Sequence, residues 1–148
     1  MLTTNPSKVA LFITVFFHLH AFAIDPPDSI EKAFKEKFPR VANSKWTVNK
    51  QQSNAYTAEF TFEKERIKAH FDMNGNYLES EKKFSIKYLP ETIPQVLETQ
   101  FERYSIQKCI EVTKPNGEKK YKIAIKSQGN KTYLVMSKVG NWIPIEKF

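Results

Sequence analysis

Two stretches of this chain place matching apolar residues at the same helical spacing. Ile30, Ala33, Phe34 and Phe38 recur as Ile93, Val96, Leu97 and Phe101, at a constant shift of 63. In each set the residues stand at i, i+3, i+4 and i+8, one face of a helix. Further on, Tyr56, Ala58 and Phe60 recur as Tyr121, Ile123 and Ile125 at a shift of 65, and Gly75-Asn76-Tyr77 recurs as Gly140-Asn141-Trp142 at the same shift. A single two-residue indel between helix and second strand reconciles the two shifts. An internal repeat confines the fold to two like units joined. Each unit, at about 60 residues, has only a marginal core by itself and gains by packing on its twin.

Each unit reads as one helix followed by four strands. Asp28-Ser29-Ile30-Glu31 has the form of a capping box, and Pro39 stops a helix over about 29–38. Period-two alternation follows at Trp46 and Val48, at Tyr56 to Phe62, at Ile67 to Phe71 and from Tyr77 to Phe84. Ser53-Asn54, Glu63-Lys64-Glu65 and Asn74-Gly75 punctuate these strands, and Asn-Gly signals a type I′ hairpin. The helical period returns at Ile93, Val96, Leu97, Phe101 and Tyr104, with Pro94 tolerable only in the first turn. Strands resume at 108–113, 121–126, 131–137 and 141–145. The expected fold class is α+β: two tandem helix-plus-four-stranded antiparallel meander units, about 28–88 and 89–148, with the helices on one sheet face. The opposite face is expected to be open and largely polar, with Lys protecting the edges.

The N-terminus reads as an export signal. Lys8 precedes a mostly apolar run that ends in Ala21-Phe22-Ala23, the pattern of a secretory signal cleaved after Ala23. The run falls short of the roughly 20 residues of a membrane span. Removal of residues 1–23 leaves 125 residues with net charge +6, one Cys, one His and four Gly. One Cys cannot form an intrachain disulfide, and one Cys with one His cannot supply a four-ligand structural zinc site. The expected location is periplasmic or secreted, with no stable membrane insertion after cleavage.

No catalytic motif stands out. GxSxG, HExxH and Walker-type loops are absent from the sequence. His70 is the sole candidate imidazole after cleavage, and its alternation with Ile67, Ala69 and Phe71 puts it on the polar strand face, as a solvent-facing residue. Nothing in the spacing brings Cys109 to it, and Cys109 reads as a small buried hydrophobe. Glu79 and Glu81 share a strand face as a glycosidase pair would, but amid Lys82 and Lys83 they read as solvation. Lys119, Lys120, Lys122 and Lys126 cluster around one hairpin and strand. The scattered Arg40, Arg66 and Arg103 do not make a nucleic-acid surface. Asn130-Lys131-Thr132 is a glycosylation sequon without meaning in a bacterial source.

AFKEKFP (33–39), Trp46, AEFTF (58–62), AHFDMNGNYLESE (69–81) and YLPETIPQVL (88–97) together resemble the PepSY-like exported proteins, also described as resembling a β-lactamase-inhibitor protein. The resemblance covers about residues 28–145 and rests on core aromatics, a turn and a helix end. It implies a non-enzymatic binding fold, open to use as an inhibitor of an envelope or secreted hydrolase, and it hands over no functional residue. The partner expected is another envelope or secreted protein, with no cofactor, metal or nucleic acid. The candidate contact residues are those of the polar sheet face: Thr57, Glu59, Thr61, Arg66, Lys68, His70, Lys122 and Lys126. The alternative is a periplasmic small-molecule binder using a pocket between helix and sheet; a hydrolase is a third and weaker reading.

Overall fold

The computed structural model of the chain describes residues 24–49 and 55–148. The expected signal segment and the Ser53-Asn54 turn lie outside the described residues. In chain order the elements are α1 (Asp28–Lys37), β1 (Lys45–Asn49), β2 (Ala55–Phe62), β3 (Glu65–Phe71), β4 (Tyr77–Lys83), a 3₁₀ turn (Ile86–Tyr88), α2 (Thr92–Gln100), β5 (Tyr104–Thr113), β6 (Lys119–Ser127), β7 (Asn130–Ser137) and β8 (Trp142–Ile145). The strands form one eight-stranded sheet in sequence order. Every pairing is antiparallel, including β4 with β5, which α2 separates in sequence.

Two apolar clusters back this sheet. Ile30 and Phe34 of α1 pack with Trp46, Ala58, Phe60, Ala69 and Phe71. Ile93 and Leu97 of α2 pack with Cys109, Tyr121, Ile123, Ile125, Leu134 and Met136. A cross-strand row runs Ile67, Lys82, Glu111, Tyr121, Met136. Its ends belong to different clusters, so both helices lie on the same side. Between the clusters the row turns polar. Glu111 is only 3% exposed there, with Lys119 Nζ at 3.1 Å and Lys82 Nζ at 3.9 Å.

The helix ends differ from the sequence reading. No side chain caps α1, whose N-cap is Pro27, so the capping box does not form. Asp28 and Glu31 instead act through the helix dipole in the first turn, and Glu31 pairs with Lys35 at 2.6 Å. The second helix stops at Gln100, short of Phe101 and Tyr104. Phe101 is extended (φ −133°, ψ 116°), and Arg103, at φ 48°, turns the chain into β5. Phe101 still joins the core, 5.7 Å from the Trp142 ring centroid. Its apolar periodicity is a packing signal rather than a helical one.

The turns also redistribute. Two-residue loops with both φ positive, the type I′ requirement, occur at Glu63-Lys64 (49° and 68°) and at Gln128-Gly129 (48° and 85°). At Asn74-Gly75 only Gly75 has positive φ. There a three-residue loop is closed by Asp72 N–H donating to Asn76 O (3.0 Å) and Gly75 N–H donating to Asp72 O (3.1 Å). The Asp72 carboxylate explains the change, because it accepts from the N–H groups of Asn74 and Asn76, each at 2.8 Å. At the sheet edges, Ile24 N–H donates to Trp46 O at 3.3 Å along β1, and Pro144 stands in β8.

Candidate site on the open sheet face

The hairpin register alone assembles the first half of the site. Thr57 faces His70, Glu59 faces Lys68, and Thr61 faces Arg66 across β2 and β3. The next strand sets Glu79 opposite His70 and Glu81 opposite Lys68. These residues lie on the face away from both helices. The six sequence candidates on β2 and β3 are therefore brought together. Lys122 of β6 reaches the same place through the β4–β5 junction. Lys126 does not: it stands exposed near the far end of β6, opposite Lys131.

The centre of this face is a charge cluster, and its groups are more withdrawn than the sequence suggested. The side chain of His70 is 23% exposed and that of Glu81 is 15%. Glu79 is 20% exposed. Lys122 Nζ makes a short ion pair with Glu81 Oε1 and lies 3.8 Å from Glu79 Oε1. Lys114 Nζ makes a short ion pair with Glu79 Oε2. His70 Nδ1 shares a 2.9 Å hydrogen bond with Thr57 Oγ1. His70 Nε2 lies 3.9 Å from Glu81 Oε1, is shut off from solvent and has no hydrogen-bond partner among the described residues. His70 is thus not a solvent-facing strand histidine, and Glu79 and Glu81 are not a solvated pair. The flanking hairpin is more ordinary surface, where Glu59 takes Arg66 at 3.0 Å and Lys68 at 4.0 Å.

Burial pulls the His70 pKa below its ordinary 6.5, against the carboxylates of Glu81 and Glu79, which push it up. The imidazole is therefore neutral at neutral pH. A folded pKa below the unfolded one adds stability that is fully present above the unfolded value and is lost as pH falls through the folded one. His70 is the only histidine in residues 24–148. Unfolding free energy, measured with a chelator present, should fall from about pH 7 downward with a slope of at most about 1.4 kcal/mol per pH unit. His70→Gln should flatten that slope, and an unchanged slope in the variant would remove His70 from the account.

Cys109 belongs elsewhere. Its cross-strand partner is Ile123, in the α2 cluster. It therefore sits on the opposite face from His70, and burial pushes its thiol up to about 12. The pair cannot act as nucleophile and base. The Lys cluster of the sequence is likewise divided. Lys119 turns to buried Glu111 on the helix side, Lys120 pairs with Glu118 at 3.6 Å, and Lys122 joins the carboxylates. The open face also differs from the polar expectation over β5–β8. Ile110, Val112, Ala124, Tyr133 and Val135 share it by register, with Val112 2% and Ala124 5% exposed. The alternation that revealed β2 and β3 breaks where apolar residues occupy both faces, at Cys109-Ile110, at Ile123-Ala124-Ile125 and from Tyr133 to Met136, so the sequence concealed this part of the face.

These features define an α+β fold with a helix-backed antiparallel meander and an open face. Among the described residues, no helix is long and apolar enough to cross a membrane. Residues 54–144 match the family model described as "Putative beta-lactamase-inhibitor-like, PepSY-like". The chain belongs to that family. Solved structures share the fold. A BLIP-like protein from Bacteroides fragilis NCTC 9343 is 24% identical with TM-score 0.65, over 81% of this chain and 84% of that one. A DUF2874 family protein from Bacteroides uniformis ATCC 8492 is 15% identical with TM-score 0.68, over 80% and 87%. A third, from Bacteroides eggerthii DSM 20697 and described among "putative periplasmic proteins", is 17% identical with TM-score 0.67, over 82% and 91%. The search of curated proteins found no match.

Proposed function

We propose that this chain is an exported, non-enzymatic binding module whose open sheet face docks another envelope or secreted protein. The observation that carries the reading is that face: wide, backed by two packed helices, and overlaid by neither α-helix, with the C-terminal Phe148 lying against Tyr133 and Lys108 over part of the β5–β7 half. Eight strands at about 4.8 Å spacing make it roughly 35 Å across. That span suits an interface of roughly 800 Å² per partner. Exposed Thr61, Arg66 and Lys68 with half-buried Glu59 give it a polar, charged region, and Ile143, 60% exposed on β8, gives it an apolar one. The signal segment 1–23, cleaved after Ala23, would deliver residues 24–148 to the periplasm or the medium. The family description and the BLIP-like neighbour support inhibition of a hydrolase as the use of this docking.

The two-unit architecture, about 28–88 and 89–148, is part of the same proposal. Gly75 approaches Ser29 and Ala33 of α1, and Gly140 approaches Thr92 and Val96 of α2. Those contacts are related by the same shifts of 65 and 63 that relate the sequences. A duplicated helix–turn contact is what two copies of one unit require.

Capture from envelope extracts tests the docking. Reversing Arg66 and Lys68 together to Glu should remove the proteins that the parent chain retains. An unchanged set of captured proteins would take β2 and β3 out of the interface. A second reading, small-molecule binding, is favoured by an open cleft of about 730 Å³ beside Phe84, Ile86, Tyr88 and Lys108. It predicts a raised melting temperature with some member of a ligand panel.

A further inference from the structure

The central charge cluster offers more than a contact patch. One imidazole nitrogen of His70 and one carboxylate oxygen each from Glu79 and Glu81 lie within 4.8 Å of one another, and Nε2 itself is 3.9 Å from Glu81 Oε1. They come from adjacent positions of one hairpin, so the β3–β4 register holds them in place. Two independent features point the imidazole at a ligand. Its Nδ1 is engaged by Thr57 Oγ1 at 2.9 Å, the kind of outer contact that fixes a metal-binding tautomer. Its Nε2 is sealed from solvent yet bonded to nothing among the described residues. A buried ring nitrogen without a partner is costly unless something occupies it.

We propose that His70, Glu79 and Glu81 form a binding site for a borderline divalent transition cation such as Zn²⁺, gated by Lys122. This goes beyond the docking reading and does not depend on it. One imidazole nitrogen and two carboxylate oxygens suit such an ion, with the remaining coordination positions left open to water or a partner's side chain. Metal–ligand bonds of about 2.0–2.2 Å need ligand atoms roughly 3.3 Å apart. The side chains must therefore close by about 1.5 Å at most, a rotamer adjustment on an open face. The cluster now holds a cation of its own, because the Lys122 ammonium pairs with Glu81 and lies near Glu79. Metal uptake is then an exchange: the cation enters and the Lys122 side chain swings out to solvent. Lys114 remains on Glu79 Oε2, leaving Oε1 for the metal.

That exchange makes a prediction with a distinctive sign. Zn²⁺ titrated into the full chain, purified without an affinity tag and after chelator removal, should bind at one site per chain by calorimetry. His70→Ala should weaken binding more than tenfold. Lys122→Met should strengthen it more than tenfold, since an ammonium no longer competes. Thr57→Val should weaken it severalfold while leaving His70 in place. Circular dichroism checks that each variant folds, and ¹⁵N NMR of the His70 ring gives a second readout, in which Nε2 alone shifts on Zn²⁺ addition. Zn²⁺ binding unchanged by His70→Ala, an affinity that does not rise in Lys122→Met, or no binding at all would each overturn the proposal, while leaving the docking test untouched.

Discussion

Replacing Phe34 with alanine should lower the unfolding free energy by about 3–5 kcal/mol, the range for truncating a large aromatic in a packed core. Phe34 is 3% exposed at the centre of the first cluster. Its ring sits 5.3 Å from Trp46, 5.2 Å from Phe60 and 6.2 Å from Phe71, in edge-on geometry each time. It also lies 5.5 Å from Phe38. Such pairs contribute about 0.5–1.5 kcal/mol each beyond their burial, and the substitution removes all of them. Phe34 holds together residues from α1, β1, β2 and β3, so no single side chain can relax into the space. Against a total of about 5–15 kcal/mol for a domain, the loss is large. Urea denaturation followed by far-UV circular dichroism measures it. A cost below about 1 kcal/mol would mean that α1 does not pack on the sheet as described.

Gly140→Ala should cost about 2–3 kcal/mol, from two causes that can be separated. Gly140 has φ +89°, and a Cβ there would lie 2.8 Å from Val96 Cγ2. The backbone part alone is about 1–2 kcal/mol for an L-residue. Gly117 isolates that part, because it has φ +82° and a Cβ added there would meet nothing within 4 Å. Gly117→Ala should therefore lose only the backbone contribution. The excess at Gly140 is the clash with α2, and it should shrink in Gly140→Ala combined with Val96→Ala, a double-mutant cycle between touching residues. Equal costs at Gly117 and Gly140 would contradict the turn-on-helix contact.

How much of this was legible in the sequence follows from where each signal resides. Strands β2 and β3 alternate because one face is buried and the other wet, so Thr57 through His70 could be assigned to a face from the chain alone. The hairpin register then pairs them without further information. Strand β5 could not be read this way, because Val112 faces away from the helices and is nevertheless 2% exposed. Burial on both sides erases alternation. Phe101 misled for a related reason: its spacing from Leu97 reflects a shared core, while Arg103 already turns the backbone.

The candidate site was half legible. His70 and its neighbours were visible, and Glu79 and Glu81 were visible as a pair. Their inward position was not, since the cations that hold them come from Lys114 and Lys122, 35 and 41 residues away. Only the β4–β5 pairing brings those lysines near, and no local pattern announces a pairing across an intervening helix. Glu111 was hidden likewise: its burial arises from the seam between two clusters, where Lys82 and Lys119 converge on it.

Site-specific photo-crosslinking in the native envelope tests the central claim most directly. A crosslinking residue at Thr61 probes the open face, and one at Lys35 probes the exposed back of α1. If the open face is the docking surface, Thr61 yields a discrete adduct with another protein and Lys35 yields none. Adducts from Lys35 alone, or the same adduct from both positions, would contradict it.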